Sequence, residues 1–326
     1  MSLKTLIMTI FQKLYAQINQ FFFAPSEAKN LSFLRIAIGL FCVSQMLGVY
    51  PDLLNIYGAQ GFIRSEITEL MLFEFAPRIS WFTNAVAHLG VSEPDSVYLL
   101  AHIFIISGVG LAIGLATRLM AVMCWCCHLL LMGTGSMFSY GADVFLGFTL
   151  FYCILMPMGR YWSVDSLLWN RKSKGASWSV TAFLRVLQLH LVIAYFMGGF
   201  GKALGNHWWN GEAIWRAATL PQFNQFDMGW IASVPTFAMV MGWFVLLIEC
   251  GYPLFMFHRK TRPYCLAAIV SMHIGIAIFM GLYYFAALMI ILNIAAFGHP
   301  YISALEKWGT SLKHFLRPST KQIAEA

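Results

Sequence analysis

Charged residues are scarce in this chain, and their scarcity argues against a water-soluble fold. Only 11% of its 326 residues are Asp, Glu, Lys or Arg, whereas 59% are hydrophobic. Soluble domains carry about 25% charged residues, so a soluble fold of this composition would have little polar surface to present to water. The longest segment between apolar runs, residues 51–96, has room for a small cap at most. We therefore expect no separate soluble domain.

Familiar catalytic and metal-binding motifs are also missing. The chain has no G-x-S-x-G, no H-E-x-x-H, no phosphate-binding loop and no dinucleotide fingerprint. Its seven cysteines lie in or beside apolar runs and indicate no disulfide framework. Cys124, Cys127 and His128 share one helix face but lack a second ligand pair, so we expect no metal. The net charge of +7 lies beside the apolar runs rather than in a basic patch, which argues against nucleic-acid binding.

Long apolar stretches are abundant instead. A helix needs about 20 apolar residues to cross about 30 Å of hydrocarbon. The predicted fold class is therefore all-α: a polytopic integral membrane helix bundle of about eight transmembrane helices. The predicted spans are 31–50, 97–116, 119–138, 142–158, 180–202, 234–257, 264–280 and 282–297.

The two ends of the chain differ from this membrane part. Residues 3–24 repeat apolar side chains at helical spacing with lysines and glutamines between them, which predicts an amphipathic helix in the membrane interface. A short additional span is the alternative. We divide the chain into an amphipathic segment (1–30), a transmembrane domain (31–298) and a basic cytoplasmic tail (299–326).

Basic residues predict the orientation, because Lys and Arg are enriched in cytoplasmic loops. The loop 51–96 is mainly acidic, whereas basic clusters that include Lys172 and Lys260 follow the fourth and sixth spans. This pattern predicts a multi-pass protein of the plasma or inner membrane, in contact with lipid, with both termini cytoplasmic. Tyr140 and Trp209 are then extracytoplasmic.

Ionisable residues inside spans are functional candidates, because inserting each costs about 2.5–3.5 kcal/mol. Arg185, Tyr195, Gly199 and Lys202 recur at steps that place them on one face of the fifth span. Arg185 and Glu249 have similar predicted depths, so we expect them to form a structural ion pair.

The extracytoplasmic end of the same span holds the predicted site. Lys202 is expected either to extend to water as an anchor or, in a desolvated cavity, to lose its charge and act as a base. His273 is either a satisfied core histidine or part of the same cavity. The candidate catalytic residues are Lys202, Asp143 and His273, and the candidate cofactor-binding residues are Tyr195, Gly198, Gly199 and Trp209.

Three stretches of the chain resemble a known family. They are F-L-R-I at 33–36, Y-W-S-V-D-S-L-L at 161–168 and Y-F-M-G-G-F-G-K at 195–202, and G-L-A-T-R-L at 114–119 is also similar. Together they resemble the HTTM (horizontally transferred transmembrane) family. Its best-known member is the membrane module of vitamin K-dependent γ-glutamyl carboxylase.

The resemblance implies a chemistry. Lys202 stands where the carboxylase has the base that deprotonates a reduced quinone, and this implies a carboxylase-like lyase or a quinone-dependent oxidoreductase. A reduced, vitamin K-like quinone would be the cofactor, and a small secreted peptide or protein the partner. Ala142 replaces a functional histidine of the carboxylase, and its large lumenal region has no counterpart.

These departures keep two other functions open. One is a non-catalytic membrane factor for maturation or presentation of a secreted peptide, like small bacterial members that mature a sporulation-delaying toxin. The other is a small transporter, although no inverted repeat is apparent.

Overall fold

Helices form the architecture of this protein. The computed structural model describes residues 3–168, 175–223 and 225–316, and in those ranges an isolated bridge between Ser26 and Ser177 is the only β pairing. The all-α prediction is confirmed. The helices are α1 Leu3–Phe23, α2 Lys29–Val49, α3 Leu53–Tyr57, α4 Ser65–Met71, α5 Ile79–Ala87, α6 Glu93–Ile113, α7 Thr117–Thr134, α8 Gly141–Leu155, α9 Val164–Leu168, α10 Trp178–Ala203, α11 Asn206–Trp209, α12 Glu212–Thr219, α13 Pro235–Phe257, α14 Arg262–Met280, α15 Tyr283–Phe297 and α16 His299–Leu316.

Each predicted span corresponds to one helix. Among the described residues, six helices are long and apolar enough to cross a membrane: α2, α6, α7, α10, α13 and α14. The other two, α8 and α15, have 15 residues each and so rise about 22 Å. A bend of 91° separates α15 from α16, which together pass the same test. The polytopic membrane bundle is thus confirmed with six candidate spans among the described residues, and the predicted total of about eight spans stays a prediction.

The eight core helices pack as two groups of four. In chain order, α2, α6, α7 and α8 pack against one another, as do α10, α13, α14 and α15. The groups meet where α15 also packs against α2 and α8. We call the end of the bundle that carries residues 50–92, 135–140, 204–234 and the turn at Gly281 the loop end. The opposite end, which carries residues 156–163, is the motif end.

Small residues allow close helix contacts within each group, as is common in membrane bundles. A Cβ added at Gly39 of α2 would lie 2.5 Å from the backbone nitrogen of Ala112 in α6. One added at Gly199 of α10 would lie 2.7 Å from the Glu249 Cβ in α13. The close approach at Gly199 sets the position of α13 against α10.

A buried arginine fastens the turn between α6 and α7 at the motif end. The guanidinium of Arg35 donates to the carbonyls of Leu111 and Ala112 at 2.7 and 2.8 Å, and to that of Trp162 at 2.6 Å. Arg35 is fully buried. It therefore satisfies the Ala112 carbonyl at the C-terminus of α6 and adds a second donor to the Leu111 carbonyl, which also accepts from the Gly114 N–H.

Asp165 completes this corner from the other side. Its carboxylate accepts the backbone N–H groups of Ala116 and Thr117 and the Thr117 hydroxyl, at 2.7 to 2.9 Å. Gly114 between the helices has a φ of +73°, and a Cβ there would lie 2.3 Å from Arg35 Nη1. Three of the stretches that carry the family resemblance therefore meet at one structural corner.

The terminal helices lie at the motif end. Helix α1 leaves most of its apolar side chains exposed and packs against α10 near its own C-terminus. Helix α16 is tied to α2 by the ion pair between Lys29 and Glu306 at 2.8 Å. The interfacial placement of segment 1–30 and the cytoplasmic placement of tail 299–326 stay predictions. Lys172 and the tail beyond residue 316 lie outside the described residues.

Candidate functional site

The principal polar feature of the loop end is an ion pair between Lys202 and Glu249. The ammonium group donates to both carboxylate oxygens, at 2.5 and 2.6 Å. The Lys202 side chain is 30% exposed and that of Glu249 is 8% exposed, so the pair is largely removed from solvent. The Trp208 ring lies over the ammonium, with its centroid 4.9 Å from Nζ.

The lysine side chain runs back toward the middle of the bundle. The Tyr195 and Tyr252 rings stack with centroids 4.4 Å apart and thereby mark one level of α10 and α13. Lys202 lies seven residues nearer the loop end than Tyr195. Glu249 lies only three residues nearer the loop end than Tyr252, since α13 runs in the opposite direction to α10. Because side chains tilt toward a helix N-terminus, Lys202 reaches inward to Glu249 rather than outward to water.

The predicted ion pair of Arg185 with Glu249 is wrong. Arg185 donates to the carbonyl of Phe21 at 2.9 Å and to the Gln188 side chain at 2.5 Å, and its guanidinium lies 4.0 Å from the Phe21 ring centroid. Along α10 it is 17 residues from Lys202, roughly 25 Å. The depth comparison failed because α13 projects past the end of α10, where Gly211 and Trp208 of the following loop pack against it.

A buried hydrogen-bond network lies next to the pair. Asn293 donates to the Tyr195 hydroxyl at 2.9 Å, and the Tyr252 hydroxyl donates to Asn293 Oδ1 at 2.7 Å. The Tyr195 hydroxyl is 2.7 Å from His273 Nε2. All four side chains are at most 5% exposed. The four helices of one group therefore each contribute one member.

His273 is the end of this network. Among the described residues His273 Nε2 is the only acceptor within reach of the Tyr195 hydroxyl proton, so the hydroxyl donates to Nε2, and the proton of a neutral His273 ring then lies on Nδ1. That nitrogen has no hydrogen-bond partner among the described residues. A buried donor without an acceptor is costly, so a ligand or water oxygen would satisfy it.

Asp143 lies apart from this network. Its carboxylate caps α8 through the backbone N–H of Tyr140 at 3.0 Å and accepts from Gln45 at 3.3 Å. It borders a cavity of about 60 Å³ in the other group of helices, together with Gln45 and His128. The structure therefore does not bring Asp143 to the Lys202–Glu249 pair. The Asp143 carboxylate is instead held at the start of α8, where it accepts the Tyr140 backbone N–H.

The glycines and tryptophans of the predicted site have different roles. A Cβ at Gly198 would lie 3.8 Å from Glu249 Oε2, so this glycine lies beside the pair. Trp209 is half exposed, and its indole donates to the Ala203 carbonyl at 2.8 Å. That bond fastens the loop. The tryptophan that covers Lys202 is the preceding one, Trp208.

A comparison of the sequence with models of known families identifies the family of this chain. The model of the HTTM domain matches residues 23–300. This chain belongs to the HTTM domain family. No solved structure matches it. The matched range contains all eight core helices, the Arg35–Asp165 corner and the Lys202–Glu249 pair of this HTTM protein.

Sequence reasoning missed several members of the HTTM site. Tyr252 and Asn293 are polar residues within predicted spans, and that position was the available signal. Nothing in the sequence distinguished Trp208 from the neighbouring Trp209.

Outside the spans, hydrogen bonding from His207 lowers the pKa of Glu212, which also forms an ion pair with Arg216 in the exposed segment after α10.

The side chains of the site are suited to proton transfer. In the part of the chain that the structure describes, no three His, Cys, Asp or Glu side chains are placed to hold a metal ion. The pair and the network instead supply an ammonium, a carboxylate, an imidazole and two phenols within one group of helices.

Proposed function

We propose that this HTTM protein is a membrane enzyme in which Lys202 accepts a proton from the hydroxyl of a reduced, membrane-soluble quinone. The observation that carries the proposal is the desolvated Lys202–Glu249 pair beside a network that ends on an unsatisfied histidine. The loop end would face the extracytoplasmic side of the plasma or inner membrane, with both termini in the cytoplasm.

The ion pair itself offers a route to a neutral amine. Movement of the ammonium proton to Glu249 leaves an uncharged lysine hydrogen-bonded to an uncharged carboxylic acid. Low-dielectric surroundings disfavour separated charges, so burial lowers the cost of this neutral form. In that form the Lys202 amine accepts a proton from an acidic hydroxyl and becomes the ammonium again, while Glu249 retains its proton.

The cofactor would be held by residues already in place. His273 Nδ1 offers a donor for a ligand oxygen. At Gly198 the nearest atom to an added Cβ would be Glu249 Oε2 at 3.8 Å, so the α10 backbone leaves room beside the carboxylate there, whereas Gly199 packs against α13. A reduced quinone would supply the acidic hydroxyl and, after deprotonation, reducing equivalents for dioxygen. A small secreted peptide or protein is the proposed substrate, and the reaction class is a carboxylase-like lyase or a quinone-dependent oxidoreductase.

A second candidate function is a non-catalytic membrane factor for maturation or presentation of a secreted peptide. The bidentate contact with Glu249 favours it, because a carboxylate at 2.5 Å stabilises the charged ammonium. On this proposal the pair fastens α10 to α13 and performs no chemistry.

Lys202→Arg separates the two proposals. Arginine keeps the charge and can pair with Glu249, but it is effectively never deprotonated. We expect a loss of about 100-fold or more in dioxygen-dependent oxidation of an added reduced quinone by the purified protein, since general bases contribute that much. Mass spectrometry of the extracted protein should also detect a co-purifying quinone.

Arg185→Lys is the matched control, since Arg185 lies at the motif end and contacts α1. It should leave the oxidation rate unchanged. Full activity in Lys202→Arg would reject the catalytic proposal and leave the structural one.

A further inference from the structure

His190 is a polar side chain at the middle of the bundle that the proposed function does not use. It is the thirteenth of the 26 residues of α10. Its ring meets a stripe of α8 at steps of three and four: Phe145 with centroids 6.0 Å apart, Phe148 at 5.2 Å and Tyr152 at 5.8 Å. The Tyr152 hydroxyl is 2.9 Å from His190 Nδ1. We call these four residues the α8–α10 seam.

The seam lies between the two groups of helices and is open at its surface. The backbones of α8 and α10 make little direct contact, so side chains bridge the space between them. His190 is half-buried and Phe148 is 49% exposed. Phe148 is the eighth of the 15 residues of α8, so both helices present their midpoints here. The opening therefore faces the hydrocarbon interior of the bilayer.

His190 has one ring nitrogen to spare in that apolar setting. Nε2 has no hydrogen-bond partner among the described residues, whereas Nδ1 is engaged by Tyr152. No bulk water is present at the bilayer midplane to satisfy such a group, and an ionisable residue within the membrane is a candidate functional residue by default. A ligand that reaches Nε2 must itself be soluble in lipid.

The hydrogen bond to Tyr152 lets His190 act as donor or acceptor. If the Tyr152 hydroxyl donates to Nδ1, Nε2 carries the ring proton and donates to a carbonyl oxygen. If Nδ1 donates to the tyrosine oxygen, Nε2 accepts from a hydroxyl. The flanking phenyl rings offer faces and edges for a flat ring. A molecule that interconverts carbonyl and hydroxyl groups on one flat ring matches this pair of states.

We propose that the α8–α10 seam binds the ring of a membrane-soluble quinone, in its oxidised or reduced form, through His190 Nε2 and the phenyl rings of α8. This site is separate from the Lys202 site and extends the proposed function, on which it rests for the class of ligand. A quinone bound there would lie at the bilayer midplane, on a different face of α10 from Tyr195 and the polar network.

Photolabelling tests the proposal. The probe is a benzoquinone with a ten-carbon chain and a diazirine, added to the full-length protein in phosphatidylcholine nanodiscs, and labelled peptides are located by mass spectrometry. In the wild type we expect labelling concentrated in segments 145–152 and 186–193. His190→Phe keeps an aromatic ring but removes the hydrogen bond, and should lower this labelling about ten-fold. Phe148→Leu, at a half-exposed position, should lower it as well.

His102→Phe is the matched control, because His102 in α6 also contacts a tyrosine hydroxyl, that of Tyr50, but lies outside the seam. In this variant the photoprobe should label the seam to the same extent as in the wild type. Thermal unfolding of each variant shows whether the fold is intact. Equal labelling in the wild type and in both folded seam variants would overturn the proposal, as would label spread evenly over the lipid-facing helices.

Lys202→Arg separates a failure of this inference from a failure of the proposed function. Seam labelling that survives in Lys202→Arg, together with loss of quinone oxidation, supports both. Seam labelling with full oxidation activity in Lys202→Arg rejects the catalytic role of Lys202 alone. Oxidation that depends on Lys202 without seam labelling rejects the seam alone.

Discussion

Glu249 determines how Lys202 behaves, because its carboxylate binds the ammonium with both oxygens. Either group alone would be a largely desolvated charge near the loop end of the bundle. The two together form a compact contact between α10 and α13. Gly199 is the reason they meet, since any larger side chain there would separate the two helices.

A double-mutant cycle measures this contact. Lys202→Met and Glu249→Gln should each lower the free energy of unfolding by about 1–3 kcal/mol, below the 3–5 kcal/mol of a fully buried pair because Lys202 is 30% exposed. The double variant should lose less than the sum of the two. Unfolding in mixed detergent micelles gives the three values.

The pair of Arg185→Met and Glu249→Gln is the control for this cycle. The two side chains bind different partners at opposite ends of α10, so their effects should add within about 0.5 kcal/mol. A coupling larger than that would mean that they interact.

At the residue scale, helical periodicity was informative within α10 and uninformative between helices. Spacing placed Tyr195, Gly199 and Lys202 on one face, and all three contact the same group of helices. The partner of Lys202 depends on how far α13 slides along α10. The loop residues Trp208 and Gly211 pack against α13 beyond the end of α10, and periodicity within one helix carries no information about such packing.

At the scale of elements, the corner between α6 and α7 explains why separated stretches of the chain resemble one family. Arg35 from α2 and Asp165 from α9 bind opposite sides of one tight helix–helix turn. Sequence reasoning noticed these stretches by their likeness and did not predict their contacts. A turn that needs partners from two distant segments has no local signature.

Loss of Asp165 should loosen this corner. Asp165→Ala removes the acceptor of the Ala116 and Thr117 amides, so we expect a cost of about 1–2 kcal/mol, as for a helix N-cap. Hydrogen exchange at these two amides should accelerate before that of the core of α7. Glu66→Ala, which removes an exposed acidic residue from the first turn of α4, is the control and should leave the exchange rates of both amides unchanged. Unaltered exchange in Asp165→Ala would show that water replaces the carboxylate.

At the scale of the whole molecule, the sequence predicted the membrane bundle from composition and run length alone. It also located each core helix, because apolar runs in a bilayer have few alternatives to helix. It did not predict the division into two groups of four. Nearly all-round apolar helices such as α6 and α13 carry no stripe that identifies their neighbours.

Orientation is testable by single introduced cysteines in a cysteine-free background. Tyr140→Cys and Trp209→Cys, both at the loop end, should react with a membrane-impermeant maleimide on intact cells. Lys260→Cys, between α13 and α14 at the motif end, should react only after the cells are opened, because basic loops stay in the cytoplasm. Labelling at position 260 on intact cells, without labelling at position 140, would show that the protein has the opposite orientation.

The brevity of α8 has a consequence for the lipid around it. Val144, Phe148, Phe151 and Leu155 of this helix are exposed, yet its 15 residues rise only about 22 Å against a hydrocarbon thickness of about 30 Å. We therefore expect the bilayer to thin locally beside α8, or the polar ends of the helix to be drawn inward, at a fraction of a kcal/mol for each ångström of mismatch. We expect the unfolding midpoint to fall as the acyl chains of reconstituted phosphatidylcholine lengthen from 14 to about 20 carbons. A midpoint indifferent to chain length would show that neighbouring helices shield α8, whereas the expected trend makes membrane thickness a quantity to which this protein responds.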